Sequence, residues 1–76
     1  MRKNMVEARK KHGLLQEDVA NAIGVKRSTY TRYENGTLTP TLNVALKIKK
    51  VLQSNDDIFL NSNVNKTNKI DENVNI

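Results

Sequence analysis

The strongest constraint on the fold is a glycine that separates two short helical segments within residues 16–36, QEDVANAIGVKRSTYTRYENG. In the first segment, Val19, Ala20 and Ile23 have the i, i+1, i+4 spacing of an apolar helical stripe. Gly24 directly follows this stripe and suits the left-handed position at which many helices end. Because a regular but polar segment comes next, the sequence predicts two short helices joined by a tight turn.

The second segment has an aromatic side and a polar side. If Tyr30 faces inward, Tyr33 lies about 60° away on the same side of a helix. The opposite side carries hydroxyl and guanidinium groups and no apolar residue that could pack. Such groups can match base edges in the major groove of DNA, which admits one α-helix, although an ordinary solvated face is the simpler alternative. The polar side comprises Ser28, Thr31 and Arg32, with Arg27 at its start.

The rest of the first sixty residues is predicted to form three further short helices, which makes the fold class all-α. Gly13 suits the end of the first helix, and Thr41 can cap the start of the fourth. The first helix runs from about Arg2 to Lys11, the fourth from TPT to about Leu52, and the fifth covers NDDIFL. The predicted apolar face of the fourth helix consists of Leu42, Ala45, Leu46 and Leu52, widened by Val44, Ile48 and Val51.

The charge of the chain points to a polyanionic partner, and its residue types point away from catalysis. The 76 residues are enough for one small domain. Their formal net charge of +5 indicates that this domain binds nucleic acid or an anionic membrane surface. No signal peptide or apolar membrane segment is evident, so we expect no membrane partner. With no cysteine and one histidine, we expect no enzyme, no metal site, no cofactor and no small-molecule ligand.

The chain divides by composition into two parts. Residues 1–60 hold 11 Lys/Arg and 6 Asp/Glu, whereas residues 61–76 are neutral and contain six asparagines. Asparagine disfavours helix interiors because its side chain competes for backbone hydrogen bonds. We therefore expect a DNA-binding domain over 1–60. The segment 61–76 is either a flexible tail or an arm that contacts a second subunit.

Residues 14–48, LLQEDVANAIGVKRSTYTRYENGTLTPTLNVALKI, resemble the Cro/C1-type (XRE) helix-turn-helix family of bacterial and phage repressors. The resemblance extends over about residues 3–60. It implies a compact five-helix, lambda-repressor-like DNA-binding domain in which helices 2 and 3 form the helix-turn-helix. The order and spacing of several features carry it: Gln16 before an acidic turn, Ala20, Gly24-Val25, Glu34-Asn35-Gly36 and Pro40.

The resemblance also implies roles for matched positions. Arg27, Ser28, Thr31 and Arg32 would read base edges. Gln16 and Asn35, with the backbone after Asn35, would contact phosphates. Lys26 and Thr37 are further phosphate candidates at positions where this chain departs from the family pattern. Arg9 in helix 1 would form a structural ion pair with Glu34, which is either partly buried or an ordinary surface pair.

Two positions depart from the family pattern. Family members usually carry Ser, Thr or Asn where this chain has Leu15 and Lys26, so two helix caps are expected to be missing. Lys26 either leaves the start of helix 3 uncapped or reaches a phosphate.

One recognition helix reads only a few base pairs, so we expect a homodimer on a near-palindromic double-stranded operator. The chain is then a sequence-specific regulator, most simply a repressor. We expect it to be encoded by a bacterium or a phage and to act in the bacterial cytoplasm, at the nucleoid. An antitoxin or other protein-binding adaptor, or a restriction–modification controller protein, would use the same scaffold. The expected dimer contacts are Leu52, Ile58, Phe59 and Leu60.

Overall fold

The computed structural model describes residues 1–60, and these form an all-α domain without strands. Four α-helices are followed by one short 3-10 helix in place of the expected fifth α-helix. The 3-10 helix is only four residues long. The N–H groups of Ile58 within it and of Leu60 directly after it donate to carbonyls three residues earlier. The elements are α1 (Lys3–Lys11), α2 (Gln16–Ile23), α3 (Arg27–Asn35), α4 (Leu42–Leu52) and the 3-10 helix (Asp56–Phe59). The Asn-rich segment 61–76 lies outside the described residues.

The turn between α2 and α3 follows from Gly24. This residue has a φ of 78°, a left-handed conformation that glycine adopts without steric cost. The Val25 N–H then donates to the Ala20 carbonyl at 3.0 Å, which closes the end of α2. The chain leaves the turn with extended backbone at Lys26, and α3 begins at the next residue.

The core lies where α2 packs against α3 and α4, while α1 packs against α3 and the 3-10 helix. Tyr30 and Tyr33 supply the contribution of α3, with ring centroids 6.4 Å apart in an edge-to-face arrangement. Aromatic rings bury more area than most side chains, which lets a nine-residue polar helix dock firmly. The buried apolar set is Met5, Val19, Ala20, Ile23, Tyr30, Tyr33, Ile48, Leu52 and Ile58.

The apolar face predicted for α4 is wrong at Leu42 and Leu46 and confirmed at Leu52 and at the widening residues Val44, Ile48 and Val51. Leu42 and Leu46 are 74% and 53% exposed, whereas Ile48 and Leu52 are buried. Val44, Ile48 and Leu52 form a second i, i+4, i+8 series, and this series is the one that faces α2. Thr41 caps the helix as expected, because its hydroxyl accepts the Val44 N–H at 3.4 Å.

Two of the four expected dimer contacts are unavailable to a partner. Leu52 and Ile58 are each 1% exposed, because both side chains fill the core of the monomer. Phe59 is half-buried, and Leu60 is 47% exposed. A second subunit could therefore touch only the latter two without unfolding this domain.

Arg2 is a buried residue that no sequence pattern singles out. Its Nη1 donates to the Tyr33 and Leu38 carbonyls at 2.6 and 3.0 Å, and its Nε donates to the Phe59 carbonyl at 3.1 Å. Its Nη2 donates to the Thr39 hydroxyl at 3.0 Å. The N-terminus is thereby tied to the end of α3, to the following loop and to the 3-10 helix.

No helix within residues 1–60 combines the length and the apolar character that crossing a bilayer requires.

Candidate nucleic-acid interface

The outer side of α3 is polar and open to solvent. Arg27, Ser28 and Arg32 are exposed, and Thr31 is half-buried beside them. All four line one shallow depression of the surface, so the fold brings the four candidate base-reading residues together. The opposite side of the same helix holds the buried Tyr30 and Tyr33. The helix is thus anchored by one face and free on the other.

An ion pair fixes the end of α3 against α1. Arg9 Nε donates to Glu34 Oε2 at 2.6 Å, and the two side chains are 11% and 4% exposed. The hydrogen bond to Glu34 raises the pKa of Arg9, so the guanidinium stays charged. Arg9 Nη1 also donates to the Leu14 carbonyl at 2.8 Å, which ties the α1–α2 loop to the same cluster. Because the pair is buried, removing either partner would leave a charge without compensation.

Tyr30 places a hydroxyl beside this pair. Burial, and secondly the nearby Glu34, raises the pKa of Tyr30, so the phenol stays neutral. The hydroxyl is buried and forms no hydrogen bond of standard geometry within the described part of the chain. The ring therefore anchors α3 mainly through apolar contact, which offsets the desolvation of one polar atom.

Gln16, the first residue of α2, joins the buried cluster to the outer side of α3. Its Nε2 donates to Glu34 Oε1 at 2.9 Å, and its Oε1 accepts the Thr31 hydroxyl at 2.9 Å. The residue was expected to contact a phosphate, and its second amide N–H remains available for such a contact. Its two internal hydrogen bonds could not be inferred from the sequence, since no local spacing relates positions 15 and 18 residues apart.

Lys26 makes no capping hydrogen bond to the start of α3, and its side chain is exposed. Leu15 likewise provides no cap for α2, although its own N–H donates to Asp18 Oδ2 at 2.8 Å. The first N–H groups of α3 and the Lys26 ammonium therefore lie at the same end of one helix. Both features attract phosphate, because the N-terminus of a helix is electropositive.

Asn35 and Thr37 form a local turn at the other end of α3. Asn35 Oδ1 accepts the Thr37 hydroxyl at 2.8 Å and the Thr37 N–H at 3.2 Å. Both residues are exposed. The turn engages the donors of Thr37 and leaves the Asn35 amide N–H groups available, so Asn35 is the better placed of the two for a phosphate.

Comparison with known proteins gives a consistent result. Residues 5–59 match the model of a helix-turn-helix family. The chain is 38% identical over 61 residues to an uncharacterized HTH-type transcriptional regulator of Archaeoglobus fulgidus, spanning 79% of this chain and 87% of that protein. It is 39% identical over 67 residues to the uncharacterized HTH-type transcriptional regulator YqaF of Bacillus subtilis, spanning 88% of each.

A third similarity is to a repressor. The chain is 46% identical over 44 residues to the cryptic phage CTXphi transcriptional repressor RstR of Vibrio cholerae, spanning 58% of this chain and 40% of that protein. No solved structure matches at a significant level.

Proposed function

The chain belongs to the Cro/C1-type (XRE) helix-turn-helix family of DNA-binding transcriptional regulators, and we propose that it is a sequence-specific repressor acting in the cytoplasm. The observation that carries this proposal is the shared depression lined by Arg27, Ser28, Thr31 and Arg32 on the free side of α3. The similarity to the repressor RstR supports repression as the output. A repressor of this kind occupies a promoter and excludes RNA polymerase.

The major groove is the natural site for α3. An α-helix fits this groove, and each base pair displays a distinct pattern of donors and acceptors there. Arg27 and Arg32 are exposed and can each grip a guanine through O6 and N7. Ser28 and Thr31 add shorter contacts between them. The buried face of the helix and the Arg9–Glu34 pair hold these side chains in a fixed register.

Phosphate contacts flank the helix in this arrangement. Gln16 and Lys26 lie at the starts of α2 and α3, where the helix N-termini also attract anions. Asn35, the last residue of α3, reaches the next phosphate along the groove through its amide N–H groups, while the donors of Thr37 stay engaged in the turn. These contacts set the position on DNA but carry no sequence information.

The functional unit we propose is a two-fold dimer. Two recognition helices separated by about 34 Å would read half-sites one helical turn apart. The described residues that remain for the dimer contact are Phe59 and Leu60, at the end of the domain. An isologous contact there would pair the same surface on both subunits.

The test compares two arginine variants on two kinds of DNA. Arg27→Ala and Arg32→Ala should weaken binding to an operator, selected from a random pool, by about 5–150-fold, the effect of losing one bidentate base contact. Binding to random DNA should fall far less, because only the cognate site offers that contact. Lys47→Ala, which removes an exposed charge from the middle of α4, is the control and should change neither.

Titrations monitored by fluorescence anisotropy at several salt concentrations would separate the contribution of base contacts from that of phosphate contacts. Equal losses on operator and random DNA would identify the arginines as phosphate contacts. Failure of the wild type to select any sequence would overturn the proposal of sequence-specific binding.

A further inference from the structure

We propose that Gln16 fixes the direction of the Thr31 hydroxyl, so that Thr31 reads DNA as a hydrogen-bond acceptor and a methyl group, never as a donor. This inference rests on the proposed function and specifies one position of its base recognition. Three contacts carry it: Arg9 to Glu34 at 2.6 Å, Gln16 Nε2 to Glu34 Oε1 at 2.9 Å, and Thr31 Oγ1 to Gln16 Oε1 at 2.9 Å.

The donor and acceptor in each of these hydrogen bonds can be assigned by starting from the buried end of the chain, at Arg9. A guanidinium only donates, so Arg9 forces the Glu34 carboxylate to act as acceptor. An ion-paired carboxylate has no proton to give, so the Gln16 group facing it must be the N–H2 end of the amide. The carbonyl end then faces Thr31, and the Thr31 hydroxyl must donate its only hydrogen inward. No other assignment satisfies all three contacts.

The consequence appears on the DNA side. A threonine hydroxyl has one hydrogen and two acceptor lone pairs, and here the hydrogen is already engaged. What Thr31 offers outward is therefore a lone pair and its methyl group. In the major groove the lone pair can accept from the N6 amino group of adenine or the N4 amino group of cytosine, and the methyl group favours the C5 methyl group of thymine, so an A·T pair complements both. The N7 and O6 acceptors of guanine would face an acceptor and are disfavoured.

Gln16 is thus a positioning residue for specificity, in addition to any phosphate contact by its second N–H. Replacing it with an apolar residue frees the Thr31 hydroxyl to rotate. Thr31 could then donate to guanine or accept from adenine, as an isolated threonine can. Loss of a phosphate contact alone would weaken all sequences equally and leave the base preferences unchanged.

The experiment compares base preferences from selected DNA pools for wild type, Gln16→Met and Thr31→Val, with Lys47→Ala as control. At one position of the selected site, we expect wild type and the control to bind A·T more tightly than guanine by about fivefold or more. Gln16→Met should admit guanine at that position only, and Thr31→Val should lose the adenine preference there. The positions read by the arginines should keep their preferences in both variants.

A second measurement does not depend on the stability of the Gln16 variant. Replacing the adenine opposite Thr31 by a purine that lacks the N6 amino group should weaken wild type by about fivefold and leave Thr31→Val unaffected. Unchanged base preferences in Gln16→Met, or an equal penalty for the purine in both proteins, would overturn the inference while leaving sequence-specific binding intact. A wild type that selects no sequence would instead overturn the proposed function.

Discussion

At the scale of single residues, Lys26 illustrates a choice between helix stability and ligand affinity. It stands where a serine, threonine or asparagine would accept hydrogen bonds from the first N–H groups of a helix. The extended backbone at Lys26, with a ψ of 152°, is already the conformation of a capping residue. The position can therefore accept a cap without rearrangement, and the lysine gives up that stabilisation for a positive charge beside an electropositive helix end.

Lys26→Ser should separate these two effects. The serine hydroxyl should cap α3 and raise the free energy of unfolding by about 0.5–1 kcal/mol, measured by urea denaturation. Binding to operator and to random DNA should weaken by the same factor. The slope of log affinity against log salt should shrink by about 0.9, the effect of losing one phosphate contact.

Lys26→Ala provides the matched control, because it removes the charge without adding a cap. It should reproduce the loss of DNA affinity but not the gain in stability. If Lys26→Ser binds DNA with an unchanged salt slope, Lys26 does not contact a phosphate.

The outer side of α3 was predictable from sequence spacing, whereas its contacts with the other helices were not. Helical periodicity alone placed Tyr30 and Tyr33 inward and left Arg27, Ser28 and Arg32 on the exposed side. The hydrogen-bond chain through Gln16 could not be predicted from the sequence, because it depends on side-chain rotamers and on the relative placement of α1, α2 and α3. Sequence spacing gives the face on which a side chain lies but not the partner that it meets across a helix interface.

At the scale of elements, α4 shows why an apolar pattern can be correct in kind and wrong at particular positions. Leucines at positions 42 and 46 and branched residues at 44 and 48 each satisfy the i, i+4 rule. Only the register of α2 against α4 decides between them, and it selects Ile48 and Leu52. The short 3-10 helix was harder to predict, because the four residues DDIF form only one turn. The geometry of this turn is set by Ile58, whose side chain enters the core.

Arg2 connects three parts of the fold at its N-terminal end. Its guanidinium reaches three carbonyls and one hydroxyl, in the end of α3, the loop before α4 and the 3-10 helix. Burial lowers the pKa of Arg2, but within the described residues its hydrogen-bond partners are all neutral oxygens. These oxygens include carbonyls near the electronegative C-terminus of α3, which favours a cation there.

We expect Arg2→Met to lower the free energy of unfolding by roughly 2–4 kcal/mol, because one buried and two part-buried carbonyls lose a charged donor. Methionine keeps most of the apolar stem, so the loss reports the hydrogen bonds more than the packing. Lys3→Met, at the exposed neighbouring position, is the control and should change stability by less than about 0.5 kcal/mol. Equal denaturation midpoints for the two variants would show that Arg2 does not tie the elements together.

At the scale of the whole molecule, the domain is small enough that its exposed apolar residues matter for assembly. A chain of 76 residues buries a smaller fraction of its surface than a large domain, and association can supply the missing burial. The exposed large apolar residues include Leu42 and Leu46 on α4, Leu15 before α2, and Leu60 beside the half-buried Phe59. We propose that the dimer contact lies at Leu60, because Phe59 extends that site inward to the core and supplies an aromatic anchor of the kind enriched at interfaces.

Leu60→Gln should therefore weaken the dimer, while Leu46→Gln, an exposed leucine-to-glutamine change on α4, should not. Both substitutions keep side-chain size and leave the net charge at +5, so they do not alter long-range attraction to DNA. Sedimentation equilibrium over a range of concentrations should show a larger monomer fraction for Leu60→Gln. Its affinity for a two-half-site operator should fall while its affinity for an isolated half-site stays that of wild type, because only the linked binding of two helices is lost. If Leu46→Gln is the variant that dissociates, the two-fold contact lies on the exposed face of α4, and the half-site spacing must be derived from that geometry instead.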